Sequence, residues 1–132
     1  MKNKIKSTII ITAENQERFI ERCIKSCLNQ SVKNIEIIII FTKLKNINTL
    51  KRRYLSKNIV FLSIPKKINK PTQDQLFKIK QGLLISRGKY IFLLDGDDTY
   101  KKNKVKDAIN SIKDKKVLFL DNYENNKNDI KQ

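Results

Sequence analysis

Apolar residues along this chain come in two kinds of run. The first kind is short and continuous: STIIIT at Ser7 to Thr12, IEIIIIF at Ile35 to Phe41, NIVFLSI at Asn58 to Ile64, and YIFLL at Tyr90 to Leu94. Such β-branched and aromatic runs predict buried strands. The second kind recurs with the helical period. Phe19, Ile20, Cys23, Ile24, Cys27 and Leu28 mark one face of a helix of about four turns, with Asn15 as its N-cap. A short helix is expected around Thr49 to Leu55. A longer one is expected from Gln73 to Ser86, with Leu76, Ile79, Leu83 and Leu84 inward and Gly88 ending it in a left-handed conformation. Gly82 lies inside that helix at a cost of about 1 kcal/mol relative to alanine, which points to close packing there. Lys102 to Lys113 predicts another helix, with Val105, Ala108, Ile109 and Ile112 on one side. Lys116 to Tyr123 (KVLFLDNY) predicts a fifth strand. Pro65 and Pro71 punctuate the loop between the third strand and the helix after it.

Strand and helix alternate, and three or more strands are apolar on both faces. That pattern predicts an α/β fold, a three-layer sandwich. Its mostly parallel sheet of about five strands has helices on both faces, in the Rossmann-like manner. At 132 residues the chain is one domain, taken as residues 1–123, followed by a polar tail at 124–132.

Composition narrows the class. The chain is 39% hydrophobic and 32% charged, which reads as globular. Its longest apolar run, Ile37 to Phe41, is too short to span a bilayer. Behind the basic start MKNKIK only Ile9 to Ile11 is apolar, too little for a signal peptide. A cytoplasmic protein is expected. Cys23 and Cys27 lie on the apolar helix face and no histidine exists in the chain, so a zinc site of about four ligands is not expected. Buried free thiols are. The net charge of +16 attracts nucleic acid, phosphates or acidic lipid. The lysines are spread, however, and lysine, asparagine and isoleucine are over-used together as in AT-rich coding sequence. Aromatics are not interleaved with the cations, and no helix-turn-helix or RNA-recognition pattern occurs.

Against that charge, the densest acidic cluster, Asp95, Asp97 and Asp98, directly follows the fourth strand. Ligands of open parallel sheets bind beyond the carboxyl ends of the strands. Carboxylates two apart across a glycine suit a hard divalent cation, Mg²⁺ or Mn²⁺, with a diphosphate. Plain Asp-Gly turn chemistry is a second reading. An N-cap role for Asp97, Asp98 or Thr99 at the next helix is a third. An EF-hand loop is excluded, because its glycine would fall on Tyr100 and its glutamate on Lys106.

Two stretches carry a resemblance. STIIITAENQERFIERCIKSCLNQSVKNIEIIII resembles the opening of family 2 glycosyltransferases. GLLISRGKYIFLLDGDD resembles their Gly-x-x-x-Ala-x-Gly-x-Tyr segment and the Asp-x-Asp-Asp motif that follows it. Together they cover most of Ser7 to Tyr100. The resemblance implies a GT-A type fold and metal-dependent binding of a nucleoside-diphosphate sugar. It also implies inverting transfer of the sugar to a glycan or lipid-linked acceptor. Carried over, Thr12, Asn15, Asp95 and Asp97 face the donor. Asp95 lies at its ribose and diphosphate, and Asp97 holds Mg²⁺ or Mn²⁺ with Asp95 and Asp98.

The departures shape the expectations. Thr12-Ala13-Glu14-Asn15 replaces Pro-x-aromatic-Asn. Phe41, Thr42, Lys43 and Leu44 replace Asp-Asp-Gly-Ser, so no carboxylate is expected there for the nucleobase. The acceptor half with its general base has no counterpart, which reads as a divergent or truncated relative. A second chain would then supply acceptor groups. A catalytically incomplete nucleotide-sugar-binding module is the first alternative. A basic nucleic-acid or membrane-surface binder is the second, with peripheral contact at the acidic inner membrane face compatible with the first reading.

Overall fold

The computed structural model describes residues 4–66 and 69–112. Among the described residues eight elements alternate in sequence: β1 (Ser7–Glu14), α1 (Ile20–Leu28), β2 (Ile35–Thr42), α2 (Ile47–Arg53), β3 (Ile59–Ser63), α3 (Pro71–Ile85), β4 (Tyr90–Asp95) and α4 (Lys104–Ile112). All strand pairs are parallel, in the order β3-β2-β1-β4. The fifth strand expected at Lys116 to Tyr123 lies outside the described residues, as does the tail at 124–132.

The sheet explains why its central strands are apolar on both faces. Ile9, Ile11 and Ala13 of β1 join Ile37, Ile39 and Phe41 of β2 on one side. Cys23, Ile24 and Cys27 of α1, Leu50 of α2 and Val105 and Ala108 of α4 pack there. Ile10, Ile38 and Ile40 form the opposite face, with Phe77 of α3 against them. Helices therefore cover both faces, and the three-layer expectation holds. Ile9, Ile10, Ile11, Ile38, Ile39 and Ile40 are all within 1% of complete burial. Each such side chain is worth roughly 1.5–3 kcal/mol of transfer free energy.

Four expectations are corrected. Asn15 does not cap α1. Its φ of 53° turns the chain, the 16–19 turn intervenes, and Phe19 holds the cap position without a side-chain bond. Gly88 is not left-handed, because α3 ends earlier at Ile85 with an extended Ser86. Its lack of a side chain serves close packing instead: a Cβ would lie 2.5 Å from the Thr8 backbone nitrogen. In α3 the inward stripe is Asp74, Lys78 and Gly82, while Leu76, Leu83 and Leu84 face outward. Gly82 sets this orientation, since a Cβ there would meet Ile10 Cγ2 at 2.8 Å. The helix turns its narrowest side to the sheet, and Asp74 and Lys78 neutralise each other beside it as a buried i,i+4 pair. Finally, β4 is buried on one face only: Phe92 and Leu94 are covered, Ile91 and Leu93 exposed. The reason is that α3 lies chiefly over β2 and β1, so among the described residues no helix covers that side of β4.

Candidate functional site

The carboxyl ends of the strands form one rim. β4 brings Asp95 there beside its register partner Thr12 on β1. The Thr12 hydroxyl donates to Asp95 Oδ1 at 3.4 Å. The chain then turns: the Gly96 N–H donates to the Thr12 carbonyl at 2.9 Å, and the Asp98 N–H to the Asp95 carbonyl at 3.0 Å. The turn reading of Asp-Gly is thus correct, and it also gathers the carboxylates. Asp95, Asp97 and Asp98 each offer an oxygen, all within 4.8 Å of one another. Among the described residues this is the one group of three or more metal-ligating side chains so close together.

The N-cap reading is corrected. α4 begins at Lys104, too far along for Asp97, Asp98 or Thr99 to cap it. Gly96 serves close packing. It is buried, and a Cβ would meet Gln16 Oε1 at 2.6 Å and Ala13 Cβ at 2.9 Å. Close packing of the acidic turn onto the β1–α1 turn requires glycine here.

Electrostatics mark the cluster as strained in its charge. Burial, then the neighbouring Asp97, push the Asp95 carboxyl above its ordinary range, against the hydrogen bonds from Thr12 and Gln75. Burial, then Asp97 and Asp95, push Asp98 up likewise, and Arg22 opposes them. Arg22 also donates to the Asp97 carbonyl at 3.1 Å and lies over the Phe19 ring. A divalent cation would relieve this repulsion. Mg²⁺ and Mn²⁺ prefer oxygen ligands at about 2.0–2.2 Å, which sets ligand pairs about 3–4 Å apart. The three carboxylates, with oxygens all within 4.8 Å of one another, offer such an ion an all-oxygen ligand set.

Of the residues expected to face the donor, Thr12, Asp95 and Asp97 come together. Asn15 is exposed at the same rim, and its backbone N–H donates to the Lys43 carbonyl at 3.2 Å. At the end of β2, Phe41 and Thr42 are buried. The Thr42 hydroxyl is spent on the Ile64 carbonyl at 2.7 Å. Lys43 is exposed with a φ of 55°. Glu14 is the carboxylate nearest in register to this strand end, as the partner of Thr42. It is paired with Lys66 at 3.1 Å.

Three contributors were not visible in the sequence. Gln75 of α3 donates to Asp95 Oδ1 and approaches Thr12 Oγ1 at 3.3 Å. The Cys23 thiol donates to the Asp95 carbonyl at 3.5 Å. Both cysteines are free and buried as expected, but one also supports the acidic turn. Gln30 on the α1–β2 connection bonds the Lys101 carbonyl at 2.8 Å and the Val105 N–H at 3.0 Å, anchoring the chain that leaves the site. The LNQS segment alone could have pointed to Gln30; no signal marks Gln75.

The model of the glycosyl transferase family 2 matches residues 8–43. No curated protein matches the chain. Among solved structures, TarS of S. aureus superposes with a TM-score of 0.66 at 21% identity, over 81% of this chain and 19% of TarS. A 1–349 form of TarS in complex with UDP matches equally well, with 32% of it covered. The mannosyltransferase PcManGT of Pyrobaculum calidifontis, in complex with GDP-Man and Mn²⁺, matches with a TM-score of 0.67 at 13% identity, over 85% of this chain and 33% of that one. The chain therefore spans about a fifth to a third of the length of these structures. Within that span the resemblance holds: residues 8–43 match the family 2 glycosyltransferase model, and the described residues share the fold of part of these glycosyltransferase structures.

Proposed function

We propose that this chain binds a nucleoside-diphosphate sugar, with Mg²⁺ or Mn²⁺ held by Asp97, Asp95 and Asp98. In this reading it forms the donor side of an inverting glycosyltransferase. The single observation that carries the proposal is the convergence of three carboxylate oxygens within 4.8 Å at the strand-end rim, in a fold shared with nucleotide-sugar transferases. A bound cation would offset the charge that develops on a leaving diphosphate. The chain's own residues orient the site: Thr12 holds Asp95, and the Asp95–Asp98 turn presents the other two carboxylates. Thr12 and Asn15 lie on the donor side of the rim.

The acceptor is a glycan or lipid-linked acceptor, bound by groups from a second polypeptide. The bare strip of β4 supports this, because Ile91 and Leu93 lie exposed on the same face as Asp95. Among the described residues no helix is long and apolar enough to cross a membrane. A cytoplasmic site with peripheral contact to acidic lipid through the basic surface completes the reading.

The test is calorimetric titration with UDP and GDP, with and without Mn²⁺. Micromolar, Mn²⁺-dependent binding that Asp97→Asn abolishes is expected. Binding of neither nucleotide, or equal binding by Asp97→Asn, would overturn the proposal. A second reading, a binding module without turnover, is favoured by the buried Phe41 and Thr42 at the end of β2. Sugar transfer or donor hydrolysis by the chain itself would remove it.

A further inference from the structure

We infer that Gln75 is a positioning residue for Asp95, holding one carboxylate oxygen so that the other is presented to a ligand. This inference rests on the donor-binding reading for what that ligand is, and on the structure for the rest. Thr8, Ile10 and Thr12 alternate onto the α3 face of β1, opposite Ile9, Ile11 and Ala13. α3 lies over that face and is closest at Gly82, which abuts Ile10. Gln75 precedes Gly82 by seven residues, two helical turns, and so shares its face. The strand runs the other way beneath it, from Ile10 to Thr12. The close approach at Gly82 therefore brings Gln75 down onto Thr12 and, across the register, onto Asp95.

The hydrogen-bond inventory closes on one oxygen. Gln75 Nε2 has two protons; one meets Thr12 Oγ1 at 3.3 Å and one meets Asp95 Oδ1. The Thr12 hydroxyl gives its own proton to the same Oδ1 at 3.4 Å. Both lone pairs of Oδ1 are then engaged. No described residue bonds Asp95 Oδ2, which is left for a cation or a ribose hydroxyl. The amide type matters. A lysine or arginine at position 75 would neutralise Asp95 and compete with a cation, whereas a carboxylate would add to the repulsion already present. A neutral donor fixes the side chain without altering the net charge of the cluster. Such preorganisation removes part of the ordering cost of binding.

The experiment compares the full chain with Gln75→Ala and the isosteric Gln75→Glu. Three quantities are read: the side-chain carboxyl ¹³C resonance of Asp95 in the metal-free protein at fixed neutral pH, the Mn²⁺-dependent affinity for UDP and GDP, and the melting temperature. Gln75→Ala is expected to move the Asp95 resonance and weaken nucleotide binding about three- to tenfold, as loss of one such bond would. Gln75→Glu is expected to weaken it further, and neither to unfold the chain. An unmoved Asp95 resonance, or wild-type affinity in both variants, overturns the inference. Should Gln75→Ala fail to fold, Gln75→Glu, which keeps the shape, decides the matter by the same readouts. If the wild-type chain binds neither nucleotide, the donor-binding reading fails by itself, and the Asp95 resonance still decides whether Gln75 orders that carboxylate.

Discussion

Glu36 accepts two hydrogen bonds from Arg87, one from its backbone N–H at 2.6 Å and one from its guanidinium Nε at 2.9 Å. The Thr8 hydroxyl adds a third at 2.7 Å. Glu36 is 1% exposed, so this carboxylate is desolvated and must be satisfied within the fold. It lies near the starts of β1 and β2, at the opposite end of the sheet from Asp95. By gripping the backbone just before β4, it sets the register in which β4 delivers Asp95 to Thr12.

Burial acts to raise the Glu36 pKa. The bonds from the Arg87 backbone, Thr8 and the Arg87 side chain outweigh it, and the carboxyl sits below its ordinary value of 4.5. The folded pKa is thus depressed relative to the unfolded one. Its stabilisation is fully present above the unfolded value and is lost as pH falls through the folded one. Glu36→Gln is expected to cost about 1–2 kcal/mol at pH 7, a modest figure because the Arg87 partner is largely solvated. Urea unfolding should show the gap between wild type and variant narrowing below about pH 4.5. A gap that stays constant down to pH 3 would contradict this assignment.

Gly88 and Gly82 separate two kinds of crowding. A Cβ at Gly88 meets backbone, Thr8 N at 2.5 Å and Ser7 C at 2.6 Å, and backbone within a sheet cannot yield. A Cβ at Gly82 meets the Ile10 side chain first, closest at 2.8 Å, and alanine gains about 1 kcal/mol of helix propensity there. Gly88→Ala is expected to lose about 3 kcal/mol and Gly82→Ala about 1–2 kcal/mol or less. Thermal unfolding of the two variants gives the order, and a more stable Gly88→Ala protein would refute the close approach.

Much of this molecule is readable in its sequence because strand burial and residue pattern have one cause. A central parallel strand is covered on both faces, so β1 and β2 must be apolar throughout, and IIII at Ile37 to Ile40 has no other stable place. α1 is equally plain, since Ile20, Cys23, Ile24 and Cys27 form one stripe and all are buried. The acidic cluster was legible from its place at a strand end. α3 was not, because its leucines lie on one side while steric demand at Gly82 chose the other. Gln75 was invisible for the same reason: its role depends on how the helix is rotated, which periodicity alone assigned wrongly. Glu14 escaped notice because its neighbour Thr42 is adjacent in register, not in sequence.

Replacing one carboxylate of the cluster should separate stability from binding. Asp95 and Asp98 are each raised by burial and by Asp97, so the three ions destabilise one another in the absence of a cation. Asp97→Asn is expected to raise the melting temperature of the metal-free chain slightly and to lower Mn²⁺ affinity at least tenfold. Differential scanning calorimetry with and without Mn²⁺ measures both effects. A metal-free melting temperature that falls would mean Asp97 makes a supporting bond instead.

Cys23 and Cys27 are buried. The Cys23 thiol is pushed well above the ordinary range, first by its contact with Cys27 and then by burial. A thiolate is the reactive form, so Cys23 should resist an aromatic disulfide reagent on the minutes scale, Cys27 should be shielded by its burial, and both should react at once in denaturant. Because Cys23 donates to the Asp95 carbonyl, Mn²⁺ with nucleotide should slow the native reaction further. Fast native labelling would place α1 away from the sheet.

The outward face of α3 offers the sharpest contrast between periodicity and packing. Helical spacing puts Leu76, Leu83 and Leu84 in the core, where Leu→Lys would cost several kcal/mol. In the structure Leu84 is 71% exposed and Leu76 59%. Single substitutions Leu84→Lys and Leu76→Lys are therefore expected to change unfolding free energy by no more than about 0.5 kcal/mol. They should also reduce self-association, since each removes apolar surface that water faces. Ile10→Lys, fully buried beneath Gly82, should abolish folding in the same assay. If Leu84→Lys instead unfolds the chain, α3 is rotated so that its leucines pack inward, and Gln75 no longer reaches Asp95.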